Sequence, residues 1–347
     1  MPVHVSRPKT VLGDHKVTTA EIADDILAHH PDHPRLRAIL RVVGNCGVLT
    51  RHFTRPLDSP TVSGSADMGE RARVAFGDAL AMAERAAIAA LDTAGIAAGD
   101  IDAIVTTHTT SWAIPNLDVN LIERLGLRPT VRRIALTTVA CPGGAHTLIR
   151  AAELVGAHPG SKVLVVAAEV LSAIYQHSDT SIESMIYKAL FGDSASAAVV
   201  TDTPLGPGLT IDGTFEYVLA DSLDRQRGRI DVEGIHFDSS KKALSAAAEV
   251  LPHFKNWYGP EEAPDFAVIH PGSPRILSDT ATSLGLAPHD TRHSTDTLAD
   301  EGNLGGVSVL RVLERTHAAP PADGARGVMV AFGPGFATAA LRCRWQA

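Results

Sequence analysis

The chain has 347 residues, 45% of them apolar and 20% charged, which is typical of a folded globular protein with one large or two smaller domains. A formal net charge of −8 argues against a nucleic-acid-binding surface that covers much of the protein. No apolar run is long enough to cross a membrane or to serve as a secretion signal, so we expect a cytoplasmic protein without membrane contacts.

Short β-branched runs alternate with longer amphipathic stretches along the chain, a pattern that is typical of layered α/β proteins. In chain order, the predicted elements are helix 69–94, strand 101–107, helix 119–125, strand 134–138, helix 143–157, strand 163–168, helix 181–190, strand 195–201, helix 241–257, strand 266–270, helix 275–284, helix 304–316, strand 328–332 and strand 338–342. The sequence therefore predicts an α/β fold.

Three segments of the first half resemble three segments of the second half in the same order, which is the kind of self-similarity that a duplicated fold leaves. The pairs are 141–148 with 303–310, 102–108 with 265–270, and 162–167 with 327–332. We therefore predict two related halves, residues 1–203 carrying the nucleophile and residues 204–347. Chance similarity is the alternative, because Gly-Gly before a helix and Val-rich strands are common.

Cysteine is sparse: Cys46, Cys141 and Cys343 fit neither a disulfide framework nor C-x-x-C metal ligation, and we predict no metal site. Cys141 stands apart because a helix is predicted just after it, with Pro142 as a favoured early residue. Amide dipoles at a helix start lower a thiol pKa, and the glycines that follow leave amides free to hold an oxyanion. The alternative is a small buried hydrophobe, which we expect for the other two cysteines.

Two polar residues in the second half are candidates to work with Cys141. His270 stands at the end of a predicted strand and could pair with the thiol, although the chain has 16 histidines and most of them will be surface or core residues. Asn303 precedes Leu-Gly-Gly and could donate an amide hydrogen bond to a carbonyl or enolate oxygen. Its alternative role is a helix N-cap.

The Cys141, His270 and Asn303 segments resemble the Cys-His-Asn triad motifs of type III polyketide synthases, the chalcone and stilbene synthase superfamily. Other motifs along nearly the whole chain resemble the same family, and its bacterial members in particular. They are Gly-Leu-Arg-Pro at 126–129, Leu-Phe-Gly-Asp at 190–193, His-Pro-Gly at 270–272 and Ala-Phe-Gly-Pro-Gly at 331–335. The resemblance implies a thiolase-like αβαβα fold of five layers, with two pseudo-duplicated halves, and a homodimer.

The resemblance also implies a reaction. Cys141 would be acylated by an acyl-CoA starter, and His270 and Asn303 would stabilise the enolate that forms when a malonyl-type CoA extender loses CO₂. The enolate would attack the Cys141 thioester, and cyclisation would give a pyrone or phenolic product. CoA thioesters would be substrates, with no cofactor required, and the apolar residues matched to the cavity favour an aliphatic starter.

Further site residues follow from the resemblance alone. Phe191 and Phe237 resemble two gatekeepers between the CoA tunnel and the cavity, although ordinary core packing is their alternative role. The other residues matched to the substrate cavity are Trp112, Ile114, Ile174 and Gly228, with Ile114 reaching the partner subunit's cavity. The residues matched to CoA binding are Arg41, Arg275, Gly272 and Gly305. A solvated helix face is the alternative for Arg41.

Competing interpretations share parts of this pattern. A β-ketoacyl-ACP synthase III uses the same triad, but its histidine motif usually continues with Gln-Ala-Asn and its asparagine motif resembles Asn-Thr-Ser-Ala. Here the continuations are Pro-Gly and Leu-Gly-Gly. A degenerate CoA-binding partner would be expected to lose a triad residue, and all three are present. A papain-like hydrolase is a poor match because the cysteine is mid-chain in an α/β pattern.

Overall fold

The structure is a computed structural model that describes residues 2–110, 112–259 and 262–347. Its strands are β1 Val3–Val5, β2 Lys9–Leu12, β3 His15–Thr18, β4 Thr50–Phe53, β5 Ala103–His108, β6 Arg132–Thr137, β7 Val163–Glu169, β8 Ser194–Thr201, β9 Gly208–Val218, β10 Gln226–Ile230, β11 Ile235–Ser239, β12 Phe266–Ile269, β13 Arg326–Gly333 and β14 Ala337–Gln346. Its helices are α1 Thr19–His29, α2 Leu36–Gly44, α3 Met68–Ala94, α4 Leu117–Leu125, α5 Gly143–Ala157, α6 Ile182–Leu190, α7 Ala243–Tyr258, α8 Pro274–Leu284, α9 Arg292–Glu301 and α10 Ser308–Thr316.

Capping residues in the sequence mark where the main helices begin and end. The Asp67 carboxylate accepts a hydrogen bond from the Glu70 amide at the start of α3, and Gly95 ends that helix in the left-handed conformation with a φ of 65°. Ser273 caps α8, which has Pro274 in its first turn. Such signals explain why the helices predicted from the sequence lie within a few residues of those in the structure.

The main sheet has the strand order β12-β13-β14-β9-β1-β8-β7-β5-β6, and β2 also pairs with β8. Strands β9 and β1 lie next to each other at the centre of the sheet. Beyond β9 the strands follow in the order β14, β13, β12, and beyond β1 in the order β8, β7, β5. The β12–β13 and β5–β7 pairs are both parallel, and the next strand inward is antiparallel in each case. The sheet therefore repeats one arrangement twice, as the internal sequence similarity predicts.

Buried strands with apolar residues on both faces set the layers. One face of β7 and β13, including Val165 and Met329, packs in the same core as α5 and α10. The opposite face of β7, including Val166, packs against α3 and α4, whereas that of β13, including Val330, packs near α7 and α8. The layers are thus α3/α4, first-half strands, α5/α10, second-half strands and α7/α8, which confirms the predicted five-layered αβαβα fold.

The two central helices approach each other closely at their starts. A Cβ atom on Gly144, in the first turn of α5, would lie 2.3 Å from the main-chain oxygen of Gly306, just before α10. Only glycine fits such a backbone contact. The glycine turns after Cys141 and Asn303 therefore meet at the middle of the molecule.

The first 60 residues carry structure that the sequence did not predict. They contribute strands β1 to β4 and helices α1 and α2, and β1 lies at the centre of the sheet between β8 and β9. These strands are only three or four residues long, too short for a clear apolar pattern. In the described ranges, no helix combines the length and the apolar character that crossing a membrane requires.

Candidate active site

Cys141 opens onto a cavity of about 690 Å³, counting the mouth that leads to solvent. This size falls in the range of small-molecule sites, about 300–1,000 Å³. Residues from both halves of the chain line the cavity. They are Thr109, Ala140, Cys141, Glu169, Leu171, Tyr187, Leu190, Phe191, Gln226, Arg227, Phe237, Asp238, His270, Gly272, Ile276, Asn303, Gly305, Phe332, Pro334 and Phe336.

Cys141 is held between β6 and α5 by a tight turn. Thr138 and Ala140 both have a φ of 60°, a conformation that costs a residue other than glycine about 1–3 kcal/mol. The Ala140 amide donates to Thr109 Oγ1 at 3.2 Å, and its carbonyl accepts from the Gly143 amide at 2.8 Å. This turn presents the sulfur to the cavity at the start of α5, as the sequence predicts.

His270 follows the end of β12 and is buried. Its amide donates to the Val330 carbonyl at 2.9 Å, and its ring Nε2 lies 3.1 Å from Asn303 Oδ1. Gly272 packs on the ring, because a Cβ atom there would lie 3.0 Å from an imidazole carbon. Burial lowers the pKa of His270 to about 4 despite the opposing hydrogen bond with Asn303. The imidazole is therefore neutral at pH 7, with Nε2–H donating to Asn303.

Asn303 is fixed through both its side chain and its backbone. Its Oδ1 accepts from His270 Nε2 and from the Gly305 amide at 2.9 Å, so its amide nitrogen is left to donate to Cys141. The Asn303 amide donates to the Leu190 carbonyl at 2.8 Å, and its carbonyl accepts from the Gly192 amide at 3.1 Å. The Leu-Phe-Gly-Asp motif thus holds the Asn303 backbone in place through two main-chain hydrogen bonds.

The acidity of Cys141 differs from the sequence-based prediction. Burial raises the pKa of its thiol to about 12, and the nearby Glu169 carboxylate adds to the increase, whereas the hydrogen bond from Asn303 opposes it. The prediction of a lowered pKa is wrong for the unliganded protein. Loss of hydration outweighs the helix amides, and the neutral His270 supplies no positive charge.

Glu169 is a site residue that the sequence analysis missed. It ends β7 fully buried, where Thr109 donates from its amide to Oε2 at 3.1 Å and from its hydroxyl to Oε1 at 3.0 Å. Burial raises the pKa of Glu169 to about 7. The predicted strand 163–168 stops one residue short of it. An acidic residue directly after six apolar strand residues was the available signal.

Three aromatic rings stand together in the cavity that Cys141 lines. The Phe191 and Phe237 rings are 6.0 Å apart, and Tyr187 stacks on Phe191 at 5.3 Å. All three line the cavity together with Cys141. The structure therefore brings the two predicted gatekeepers to the same wall and adds Tyr187, which the sequence analysis did not identify.

Other predicted cavity residues lie outside this space in the single chain. Trp112 and Ile114 are 71% and 91% exposed and border a groove on the outer surface with Phe76. Ile174 is buried in the apolar core, and Gly228 lies in β10, where a Cβ atom would be 3.5 Å from the Phe237 ring. A role for these four in a substrate cavity stays a prediction.

The residues predicted to bind CoA divide into two groups. Gly272 and Gly305 line the cavity beside His270 and Asn303. Arg41 is exposed on α2, and Arg275 is exposed at the start of α8, where its Nε lies 3.4 Å from an Asp279 carboxylate oxygen. The loop after α2 reaches α8, because a Cβ atom on Gly47 would lie 2.6 Å from the Pro274 ring. The ends of α2 and α8 that carry these arginines therefore lie side by side.

Family models match most of the chain. The N-terminal domain of chalcone and stilbene synthases matches residues 41–204, and the C-terminal domain matches residues 218–344. The 1,3,6,8-tetrahydroxynaphthalene synthase of Streptomyces coelicolor is 32% identical over 98% of this chain and 91% of its own. The phloroglucinol synthase of Pseudomonas fluorescens is 30% identical over 98% of both chains.

Solved structures agree with the family models. The structure of germicidin synthase from Streptomyces coelicolor, a type III polyketide synthase, superimposes with a TM-score of 0.94 at 30% identity, covering 99% of this chain and all of the other. The match extends through both halves and includes the elements that carry Cys141, His270 and Asn303. The chain therefore belongs to the chalcone and stilbene synthase family and is an acyltransferase of the type III polyketide synthase class.

Proposed function

We propose that Cys141, His270 and Asn303 form the catalytic triad of a decarboxylative condensation. The main support is that three separate segments deliver these side chains to one cavity, which Phe191 and Phe237 also line. Among the described residues lining that cavity, Glu169 and Asp238 are the only carboxylates, and the reaction needs no metal there. CoA thioesters serve as substrates and no further cofactor takes part.

The proposed reaction proceeds in two stages. Cys141 attacks the thioester of the starter, its thiol proton leaves with the CoA sulfur, and free CoA departs. The malonyl-type extender then loses CO₂, and the resulting enolate carbon forms a bond to the acyl carbon as the bond to the Cys141 sulfur breaks. The Cys141 thiolate that is released takes a proton from water and returns to the thiol. His270 and Asn303 donate hydrogen bonds to the enolate oxygen. The lengthened chain, now on CoA, reloads or cyclises to a pyrone or phenolic product.

A neutral site suits this sequence of steps. The raised thiol pKa and the lowered imidazole pKa keep Cys141 and His270 uncharged before substrate enters. A neutral imidazole has one N–H, so His270 Nε2–H would leave Asn303 Oδ1 and donate to the carbonyl or enolate oxygen when substrate binds. Loss of CO₂ is also favoured where little water competes for the departing carboxylate.

CoA is proposed to enter where α2 meets α8. Arg41 and Arg275 are exposed there and have the charge to bind its phosphates, while Gly272 and Gly305 leave room for the pantetheine arm near the triad. The cavity lining includes Leu171, Leu190, Ile276 and Phe332. This apolar surface supports an aliphatic starter.

We also propose a cytoplasmic homodimer. Trp112 and Ile114 form an exposed apolar surface beside Phe76, of the kind that a second subunit usually covers. In such a dimer, Ile114 would reach the partner's cavity. The two halves, residues 1–203 and 204–347, are proposed as duplicated units, supported by the separate family matches to residues 41–204 and 218–344.

The function is tested by incubating the purified protein with a panel of acyl-CoA starters and with malonyl-, methylmalonyl- or ethylmalonyl-CoA. We expect pyrone or phenolic products by mass spectrometry, with aliphatic starters giving the fastest turnover. Turnover of acyl-ACP without polyketide formation from any CoA pair would instead point to a β-ketoacyl-ACP synthase.

The nucleophile is tested with Cys141→Ala. This variant should form no product and no covalent acyl adduct by intact-protein mass spectrometry, because its attacking sulfur is gone. Cys46→Ala is the matched control, since Cys46 lies in the apolar core and should leave loading intact. An acyl adduct that persists on Cys141→Ala would assign the nucleophile elsewhere.

A further inference from the structure

A cluster of histidines lies outside the cavity lining, and the proposed reaction does not use it. Asp25 and His29 are one turn apart on α1, and His177 comes from the segment between the 3₁₀ turn Leu171–Ile174 and α6. His30 and Tyr175 complete the group, which we call the Asp25 cluster. It joins two parts of the chain that are about 150 residues apart in sequence.

The potential ligand atoms in this cluster are close together. Asp25 Oδ2 lies 2.9 Å from His177 Nε2, and Asp25 Oδ1 lies 3.3 Å from His29 Nδ1. One ligand atom from each of the three residues falls within 4.8 Å of the others. Ligands about 2.0–2.1 Å from a tetrahedral zinc ion are about 3.3 Å apart, so these separations already approach those of a metal site.

Neighbouring groups would orient the ligands. The Tyr175 hydroxyl donates to Asp25 Oδ2 at 2.6 Å, and His177 Nδ1 lies 2.8 Å from His30 Nε2. His177 Nε2–H donates to Asp25 Oδ2 at 2.9 Å, so a metal ion would replace this proton, and His177 would then donate from Nδ1 to His30. Metal-bound histidines generally have such a partner on the second ring nitrogen.

The His29 ring is the adjustable member. It stacks on the His177 ring with centroids 3.8 Å apart, and its Nδ1 also lies 2.9 Å from the Asp25 main-chain oxygen. The side chain is 46% exposed, so the ring can turn away from that oxygen towards a shared ion. Asp25 and His177, at 12% and 11% exposure, form the fixed part of the site.

A second group of possible ligands, Asp231, Glu233 and His236, differs from the Asp25 cluster in its ion-pair partners. There Arg229 lies 2.6 Å from Asp231, and His236 is placed between the Asp231 and Asp179 carboxylates. Those acids are already neutralised by cationic partners. Within the described ranges, Asp25 has ion-pair contacts with His29 and His177 only, and Lys188 acts on its charge without forming an ion pair.

We propose that Asp25, His29 and His177 bind one divalent transition-metal ion of the zinc type, with water at the remaining position. Two imidazoles and a carboxylate suit Zn²⁺, Co²⁺ or Ni²⁺ better than Mg²⁺ or Ca²⁺, which prefer oxygen ligands. Cysteine spacing gives no sign of this site, because none of its three ligands is a cysteine. The bound ion links α1 to the segment that leads into α6.

The test uses full-length protein stripped with a chelator and titrated with Co²⁺, whose visible absorption reports nitrogen and oxygen coordination. Wild type should bind about one ion per chain with visible bands, and Zn²⁺ should displace it. His29→Ala, on the surface of α1, should bind at least about tenfold more weakly. His158→Ala, which removes an exposed histidine at the end of α5, is the matched control and should bind as wild type does.

Thermal unfolding provides a second readout. Zn²⁺ should raise the Tm of wild type and of His158→Ala, because an ion that binds only the folded chain stabilises it, and should not raise that of His177→Ala. If His177→Ala fails to fold, the test rests on His29→Ala, whose Co²⁺ affinity and spectrum show whether the cluster binds metal. The proposal is overturned if wild type binds no Co²⁺, or if His29→Ala binds it with unchanged affinity and spectrum. Binding that Glu233→Ala removes instead would place the ion at the second group and also overturn it.

Discussion

The turns at Cys141 and Asn303 occupy matching places in the two halves, yet they carry opposite chemistry. The first leads directly into the 15-residue helix α5, whereas the second passes through the 3₁₀ turn Gly305–Val307 before the 9-residue helix α10. The first half supplies two acids, Cys141 and Glu169, and burial raises both pKa values. The second half supplies neutral donors, His270 and Asn303. A repeated frame therefore holds a site in which Cys141 and His270 are both uncharged and the two sides have different roles.

Removing the Asn303 side chain from its turn in the second half should cause the largest loss of activity. Asn303→Ala deletes an amide that faces Cys141, and loss of one such donor lowers kcat by about 10²–10³-fold. Covalent loading of Cys141 should persist, which separates this variant from Cys141→Ala. Steady-state product formation measures the loss, with the exposed Asn256→Ala on α7 as control. An unchanged kcat would show that Asn303 only shapes the turn.

Breaking the contact between the turns should cost stability. Gly144→Ala places a methyl group 2.3 Å from the Gly306 oxygen, and such overpacking costs about 1–3 kcal/mol in the free energy of unfolding. Gly156→Ala, near the other end of α5, meets no atom within 4 Å and should be neutral or stabilising by up to about 1 kcal/mol. Urea unfolding compares the two. Equal midpoints would mean that the turns can move apart freely.

Glu169→Gln tests how much the Glu169 charge contributes to the raised pKa of the Cys141 thiol. Above its pKa of about 7, Glu169 is charged and opposes a second negative charge on Cys141. Without that charge, the thiol pKa should fall and iodoacetamide should alkylate Cys141 at lower pH than in wild type. Glu153→Gln, on the exposed side of α5, should leave the profile unchanged. If the pH dependence of Cys141 alkylation is also unchanged in Glu169→Gln, then Glu169 is not a cause of the raised Cys141 pKa.

The smallest expected effect concerns His270. Because burial lowers its pKa from 6.5 to about 4, the unfolded chain binds more protons between these pH values. The stability that the neutral ring contributes is fully present above pH 6.5 and is lost as the pH falls towards 4. His270→Gln should therefore show a flatter dependence of Tm on pH in this window. His30 and His317 also have pKa values of about 4, so part of the slope should remain.

The sequence was most informative where elements are long and fully buried. Strand β7 and helices α3 and α5 were predicted because their apolar residues form continuous patterns. The family and enzyme class that the motifs predicted were confirmed by the matching family models and relatives. The short strands β1 to β4 were missed because pairing with distant strands, rather than local pattern, stabilises them. The position of Glu169 beside Cys141 depends on the meeting of separate segments, which no single stretch of sequence displays.

Burial also explains why the thiol prediction was wrong. The helix start at Cys141 was visible in the sequence, but the loss of water around the sulfur was not. The same limit applies to Trp112 and Ile114: matching a motif indicated a cavity, whereas in the single chain their side chains lie on the outer surface. In the proposed homodimer their role would depend on a second subunit, and the sequence of one chain carries no direct record of that contact.

The glycine contact between α5 and the turn before α10 has a practical consequence for redesign. With no side chain between Gly144 and Gly306, this contact between the starts of the two central helices has no atoms to trim, and moving the turns apart would require separating two backbones. Part of the cavity wall is built from the two-stranded sheet of β10 and β11, which supplies Gln226, Arg227 and Phe237. Attempts to change the size of the product should begin with substitutions on that hairpin.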